Sequence, residues 1–169
     1  MADGLPSPPP SMDAAKTLAE HGIEGVHALY AAMEIGWTQM FEGFEKPFEI
    51  TGVSTRTEVI KGVDGNDVTL YISTPAGPGP FPCMLHTHGG GMALMQADND
   101  FYCYWRDRCA MAGFVVVGVE FRNITGALGP YEFPAGLNDC FSGLEWVNGN
   151  KASVEIRKPP SYRESARGH

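Results

Sequence analysis

A nearly unbroken apolar run, FVVVGVEF at residues 114–121, most constrains what this 169-residue chain folds into. Such a run is typical of a strand that is buried on both faces of a parallel sheet. Residues 98–113 before it and 135–148 after it have helical patterns, and CMLHTH at 83–88 is a second short apolar strand. Strands that alternate with helices predict βαβ units and a mostly parallel sheet with helices on both faces, which is the α/β class.

The residues upstream of these units predict a hairpin and a helical region. Residues 55–61 and 67–74 alternate in polarity around a glycine-containing turn, so we expect a β-hairpin. Apolar residues recur at helical spacing from Ser11, which can cap a helix, to about Phe44, and glycines such as Gly22 predict a break into two helices. This region is either a cap over a binding cleft or a helix packed on its own domain, and the pattern does not choose between the two.

Composition divides the chain into four segments. Prolines and small residues predict a disordered lead-in at 1–10, which is followed by a helical cap segment at 11–48 and an α/β domain at 49–150. The net charge of −8 disfavours nucleic acid and anionic membranes as partners. Residues 151–169 contain five basic and two acidic side chains and reverse the acidic balance of the preceding chain, so we expect an aberrant basic tail there.

Compartment and redox state follow from the N-terminus and the cysteines. The N-terminal stretch has no basic start followed by an apolar segment, and no apolar run approaches the ~18 residues that a membrane span needs. We therefore expect a cytoplasmic protein without a membrane span. The cysteines form no C-x-x-C pair, and we expect all four to be reduced structural thiols: Cys83, Cys103, Cys109 and Cys140.

Three consecutive glycines, Gly89–Gly91, follow the predicted strand that ends at His88. Three adjacent glycines are entropically costly to order, so they need a reason. One reason is oxyanion binding, because glycine amides can point at a carbonyl oxygen on which negative charge develops. Phosphate binding is disfavoured because neither G-x-x-x-x-G-K-[ST] nor G-x-G-x-x-G is present. A tight turn beside a buried histidine is the alternative without a function.

A metal site is the third possible reason for this segment. His86 and His88 alternate onto one face of the predicted strand. No third histidine or nearby carboxylate completes a ligand set, so we expect no metal, and no motif in the chain predicts a cofactor.

Two blocks of the sequence resemble the hormone-sensitive-lipase-like branch of the α/β-hydrolases. They are HTHGGGM at residues 86–92 and EFRNITGALGPYEFPAGLNDCFSGLEWV at 120–147. H-G-G-G is the oxyanion loop of lipases and esterases. The resemblance covers roughly residues 50–150 and implies the N-terminal half of an α/β-hydrolase sheet. It also implies a carboxylic-ester hydrolase of the serine esterase or lipase type, with a small acyl ester as substrate.

The resemblance implies a role for each residue of the glycine loop. The N–H groups of Gly90 and Gly91 would be the donors of the oxyanion hole. His88 and Gly89 would support the loop, and His88 would hold it by a hydrogen bond rather than transfer protons.

Further residues have a possible role in the scaffold or the substrate pocket. Arg122 and Asp139 resemble a structural ion pair. A group of apolar residues either lines an acyl pocket or packs the helix that follows the glycines: Met92, Met95, Phe101, Tyr102 and Trp105.

The nucleophile of this family stands in G-x-S-x-G, whereas the chain has R-E-S-A-R around Ser165. Arginines do not fit a close junction of strand and helix, and the prolines of VEIRKPPSY at 154–162 are incompatible with a central strand. His169 is the last residue of the chain, so no framed general base follows Ser165. The sequence therefore predicts an oxyanion loop without a complete catalytic triad, and it leaves the role of Ser165 open.

These observations predict an altered or truncated C-terminus. The alternative to an ester hydrolase is a catalytically inactive product, or a small-ligand-binding module on the same fold. A sheet without its central strands exposes an edge and apolar surface, so we also expect self-association.

Overall fold

The computed structural model describes residues 14–42, 44–152 and 156. Its elements are α1 (Ala14–Glu42), β1 (Val53–Lys61), β2 (Asp67–Pro75), β3 (Cys83–Thr87), α2 (Asp100–Met111), β4 (Val115–Glu120) and α3 (Ala135–Gly149). The predicted order of hairpin, strand, helix, strand and helix is confirmed, as is the α/β class. The expected lead-in at 1–10 and the expected cap residue Ser11 lie outside the described residues.

The four strands form one sheet with the order β1-β2-β4-β3. β1 and β2 are the predicted antiparallel hairpin, in which Lys61 lies opposite Asp67. β2 also runs antiparallel to β4, and β3 pairs with β4 in parallel. The described part of the sheet is therefore mixed, with the predicted hairpin antiparallel and the predicted βαβ pair parallel. The physical reason is that a short turn makes β2 antiparallel to β1, while the crossover through α2 is what allows β3 and β4 to be parallel.

The core is centred on β4, in which every residue from Val115 to Val119 is buried. Successive side chains of a strand point to opposite faces of the sheet. α3 covers one face, where Gly143 lies against Val119, and α2 covers the other, where Arg106 lies against Gly118. Helices on both faces of the sheet are thus observed, as the sequence predicts.

A second parallel backbone pairing lies just before β3 in the sequence, between residues 81 and 156. Phe81 forms a parallel bridge with Ile156, and the Ile156 amide donates to the carbonyl oxygen of Lys151 at 2.8 Å. Ile156 is 7% exposed and belongs to the apolar core. It packs with the domain although it lies beyond the predicted boundary at residue 150, in the segment expected to be an aberrant tail.

The helices begin and bend where short-range signals place them. The backbone of α1 leaves helical geometry at Gly22, where φ is 67°, so the predicted break is confirmed at that glycine. The side chain of Asn99 accepts a hydrogen bond from the Phe101 amide at 3.0 Å and caps α2, and Gly113 follows the end of α2 with a φ of 98°. None of the helices in the described part of the chain is long and apolar enough to cross a membrane. The four cysteines are free thiols.

Close packing of α3 on β4 gives a test of this arrangement. A Cβ atom on Gly143 would lie 2.7 Å from Val119, whereas one on Gly149 of the same helix would meet nothing within 4 Å. Alanine gains more helix propensity at the interior position 143 than at the helix end, yet overpacking against Val119 outweighs that gain, so we expect Gly143→Ala to be less stable than Gly149→Ala by about 1–3 kcal/mol. Urea unfolding of the two variants measures the difference. Equal stabilities would contradict the close contact between α3 and β4.

Candidate active site

The three glycines form the turn that leaves the carboxyl end of β3. Ligands of open α/β sheets bind at this edge, beyond the carboxyl ends of the strands. The φ angles of Gly90 and Gly91 are 110° and 65°, in the region that favours glycine. A Cβ atom on Gly90 would collide with the carbonyl oxygen of Leu94. Glycine at position 90 is therefore required by both the backbone angle and the space.

His88 is buried beneath this turn. Its ring stacks on Phe121 with a centroid distance of 4.1 Å, and its Nδ1 lies 2.8 Å from the carbonyl oxygen of Gly89. Because a carbonyl oxygen only accepts, Nδ1 carries the proton in this hydrogen bond. Burial lowers the pKa of His88, so the ring stays neutral near pH 7. The arrangement fixes the orientation of the ring and ties the end of the strand to the first glycine.

The amides of the glycines differ in their partners. The Gly89 N–H donates a hydrogen bond to the Tyr102 hydroxyl oxygen. Within the described residues, the amides of Gly90 and Gly91 donate no hydrogen bond to the protein. Both glycines are exposed. The two N–H groups are consequently available to an acceptor from outside the protein.

The second part of the glycine loop, Met92–Met95, packs on the loop that follows β4. Met92 and Met95 have positive φ angles of 57° and 81°, which are strained for residues with a side chain. Three hydrogen bonds hold the segment: Ile124 N–H to Met92 O at 3.0 Å, Thr125 N–H to Ala93 O at 3.0 Å, and Asn123 Nδ2 to Met95 O at 2.7 Å. The strained geometry is stabilised by contacts with the neighbouring loop.

An apolar cleft of about 250 Å³ lies beside Gly90. Four of its lining residues come from α1 and three from the loop or α2: Tyr30, Met33, Trp37 and Phe41, then Leu94, Met95 and Tyr102. The cleft is therefore formed between the N-terminal helix and the glycine loop.

Only part of the predicted acyl pocket lines this cleft. Met95 and Tyr102 do so. Phe101 instead stacks on Phe41 with a centroid distance of 4.8 Å, and the Trp105 ring packs against His86 at 4.7 Å. Met92 lines a separate, smaller cavity next to Pro134. These contacts indicate that Phe101 and Trp105 pack α2 and do not line the cleft.

The ion pair between Arg122 and Asp139 is present. Arg122 Nε lies 2.9 Å from Asp139 Oδ2 and Arg122 Nη2 lies 2.8 Å from Oδ1. The Arg122 amide also donates to Oδ2 at 2.9 Å. Asp139 is 1% exposed and raises the pKa of Arg122. The pair fixes the start of the loop after β4 on α3, as expected of a scaffold contact.

Glu34 is a site residue that the sequence did not reveal. Its carboxylate accepts hydrogen bonds from the amides of Met95 and Ala127, at 2.7 and 2.8 Å. A glutamate at an arbitrary position of a helix is indistinguishable, in the sequence, from one that faces solvent. Knowledge of the loop positions is needed to recognise it.

Two further expectations concern residues near and beyond the loop. In the part of the chain that the structure describes, no group of three or more His, Cys, Asp or Glu side chains is arranged to hold a metal ion. Ser165 and His169 lie outside the described residues.

Fold comparisons define the class of protein. The structure resembles that of brefeldin A esterase, described as a bacterial homologue of human hormone sensitive lipase, with a TM-score of 0.71 and 35% identity. That likeness covers 90% of this chain and 41% of the esterase. Esterase Est22 matches with a TM-score of 0.68 and 26% identity, over 85% of this chain and 42% of its own. The described fold is thus part of an α/β-hydrolase fold.

Two further matches, one among solved structures and one among sequences, are also enzymes by name. A bacterial heroin esterase is 28% identical, with a TM-score of 0.59, over 88% of this chain and 42% of its own. Tuliposide A-converting enzyme 2 of Tulipa gesneriana is 28% identical over 108 residues, which are 62% of this chain and 27% of that enzyme. No protein-family model matches the chain. The resemblance to hormone-sensitive-lipase-like esterases is confirmed, and the chain spans less than half the length of these relatives.

The partly buried His86 side chain of β3 predicts a pH dependence of stability. Burial, and then the charge of Arg106, lower the pKa of His86 from its ordinary 6.5 to about 4. The unfolded chain therefore binds this proton more readily, and the stabilising contribution falls as the pH drops from about 6.5 to 4. We expect His86→Phe and His86→Gln to lose less stability than the wild type across this window in urea unfolding. If the free energy of unfolding falls equally with pH in all three proteins, His86 is not held neutral in the folded chain.

Proposed function

We propose that the chain is part of a carboxylic-ester hydrolase of the serine esterase or lipase type, with residues 88–91 as its oxyanion loop. The observation that carries this proposal is the position of two exposed glycine amides. Those of Gly90 and Gly91 have no partner within the described residues and lie at a strand end beside an apolar cleft. The likeness to proteins named as esterases supports the same class of reaction.

The proposed chemistry follows from where charge develops. When a nucleophile attacks an ester carbonyl, the carbonyl oxygen becomes an oxyanion. The amides of Gly90 and Gly91 would donate hydrogen bonds to that oxygen, and loss of one such donor costs about 10²–10³ in rate. His88 and Gly89 would keep the amides in place through the hydrogen bond beneath the turn. This role of the loop requires no cofactor.

The substrate class follows from the cleft. Its lining is aromatic and apolar, so we propose a small acyl ester with an apolar or aromatic group that fits about 250 Å³. α1 would act as the cap of this cleft, because Tyr30, Met33 and Trp37 form one of its walls.

The alternative function is binding without turnover, in a catalytically inactive product or a small-ligand-binding module. It is favoured by the R-E-S-A-R sequence around Ser165, where esterases have G-x-S-x-G. We propose that this chain on its own binds small esters in the cleft and does not hydrolyse them.

An ester titration followed by a turnover assay tests the proposal. We expect ethyl benzoate to shift the NMR amide resonances of Gly90 and Gly91, because its carbonyl oxygen accepts from them. Hydrolysis of 4-nitrophenyl butyrate should not exceed that of the Ser165→Ala variant.

The two arms of this experiment have separate consequences. Turnover that disappears in Ser165→Ala would disprove the inactivity of the chain and establish Ser165 as the nucleophile. Glycine resonances that stay in place at saturating ester would disprove the oxyanion loop.

A second proposal concerns self-association. Leu137, Phe141 and Leu144 lie on one outward face of α3 and are each about half exposed. Apolar side chains grouped on one exposed helix face favour association, because a partner removes them from water. We propose that a second copy of the chain covers it.

Sedimentation velocity tests this surface. We expect the wild type to sediment as a dimer or larger species, and Phe141→Lys with Leu144→Lys to sediment as a monomer, since buried lysines would lack partners. Ile23→Lys, at a position of α1 that is 58% exposed, is the matched control and should behave as the wild type. A monomeric wild type at all concentrations would refute the proposal.

A further inference from the structure

The Glu34 carboxylate joins two loops that are distant in sequence. One oxygen accepts from the Met95 amide at 2.7 Å and the other from the Ala127 amide at 2.8 Å. These partners are 61 and 93 residues away from Glu34 along the chain. Both contacts are charge-assisted hydrogen bonds, which are about twice as strong as neutral ones.

The two loops are the ones that shape the candidate site. Met95 ends the segment that begins at the glycine turn, and its φ of 81° is strained. Ala127 belongs to the loop after β4, which already holds that segment by backbone hydrogen bonds. A Cβ atom on the neighbouring Gly126 would collide with Glu34 Oε2, so the loop is shaped to admit this carboxylate.

Glu34 also lies among the residues that form the wall of the cleft. Met33 precedes it, and Tyr30 and Trp37 are four residues before and three after it, so each lies within about one turn of Glu34 along α1. The same short stretch of helix therefore supplies the aromatic wall and the anion that anchors the opposite side of the cleft.

We propose that Glu34 is a positioning residue that latches α1 onto the glycine loop. The latch fixes the distance between the aromatic wall and the amides of Gly90 and Gly91. The two hydrogen bonds of Glu34 are the evidence for the latch. Its importance for ester binding rests on the proposed function.

Amide hydrogen exchange measured by NMR tests the latch without any ester. In Glu34→Ala the amides of Met95 and Ala127 both lose their acceptor oxygen. We therefore expect their hydrogen exchange to accelerate about tenfold or more. Glu34→Gln keeps one acceptor oxygen and turns an NH₂ group towards the second amide, so one of the two amides should accelerate. Glu24→Gln, at an exposed position of α1, is the matched control and should change neither.

Exchange at the buried Val117 amide separates local from global effects. We expect it to be unchanged in Glu34→Gln. Two results in Glu34→Gln would overturn the latch. One is exchange that accelerates at Val117 as much as at Met95 and Ala127, and the other is exchange at both loop amides that equals the wild-type rate. If Glu34→Ala unfolds the chain, the exchange rates of Glu34→Gln alone test the latch.

A final readout connects the latch to the site. We expect Glu34→Gln to displace the amide resonances of Gly90 and Gly91 without ligand and to weaken ethyl benzoate binding about threefold to tenfold. Unmoved glycine resonances in Glu34→Gln would refute the positioning role. If exchange changes as expected but ethyl benzoate fails to shift those resonances in the wild type, the latch stands and the proposed function fails.

Discussion

Parallel pairing of β3 with β4 is the contact on which the site depends. It brings the carboxyl ends of both strands to the same edge of the sheet, so the loops that follow them meet. The glycine turn and the loop from Arg122 onward then share hydrogen bonds that hold two methionines at strained backbone angles. Burial of β4 between two helices keeps this edge in place, because Gly118 must lie against Arg106 on one face and Val119 against Gly143 on the other.

Much of this arrangement is encoded in short stretches of sequence. The apolar run of β4 and the alternating hairpin were predictable, because each is determined by local periodicity. The glycine turn was recognisable because three adjacent glycines are costly to order, and because His88 before them completes the H-G-G-G motif. The pairing of Arg122 with Asp139 followed from the resemblance and not from spacing.

Other features were not predictable because they depend on distant contacts. The edge of β4 that the hairpin takes, and the antiparallel pairing of β2 with β4, are reported by no local pattern. Glu34 acquires its role only when two loops converge on α1. Phe101 and Trp105 resembled pocket residues in sequence, yet the rotation of α2 turns them towards Phe41 and His86. Ile156 packs into the core although the charged and proline-rich sequence around it argued for a tail.

The contacts of the loop after β4 also impose an order of events during synthesis on the ribosome. The segment from Gly89 to Met95 is translated well before its partners at Asn123 and Thr125 exist. While only the earlier residues have emerged, the hydrogen bonds from Asn123, Ile124 and Thr125 that stabilise the strained angles of Met92 and Met95 are missing, and the turn samples other conformations. The nascent domain therefore acquires the final geometry of its glycine turn late, after the polypeptide that follows β4 has left the exit tunnel.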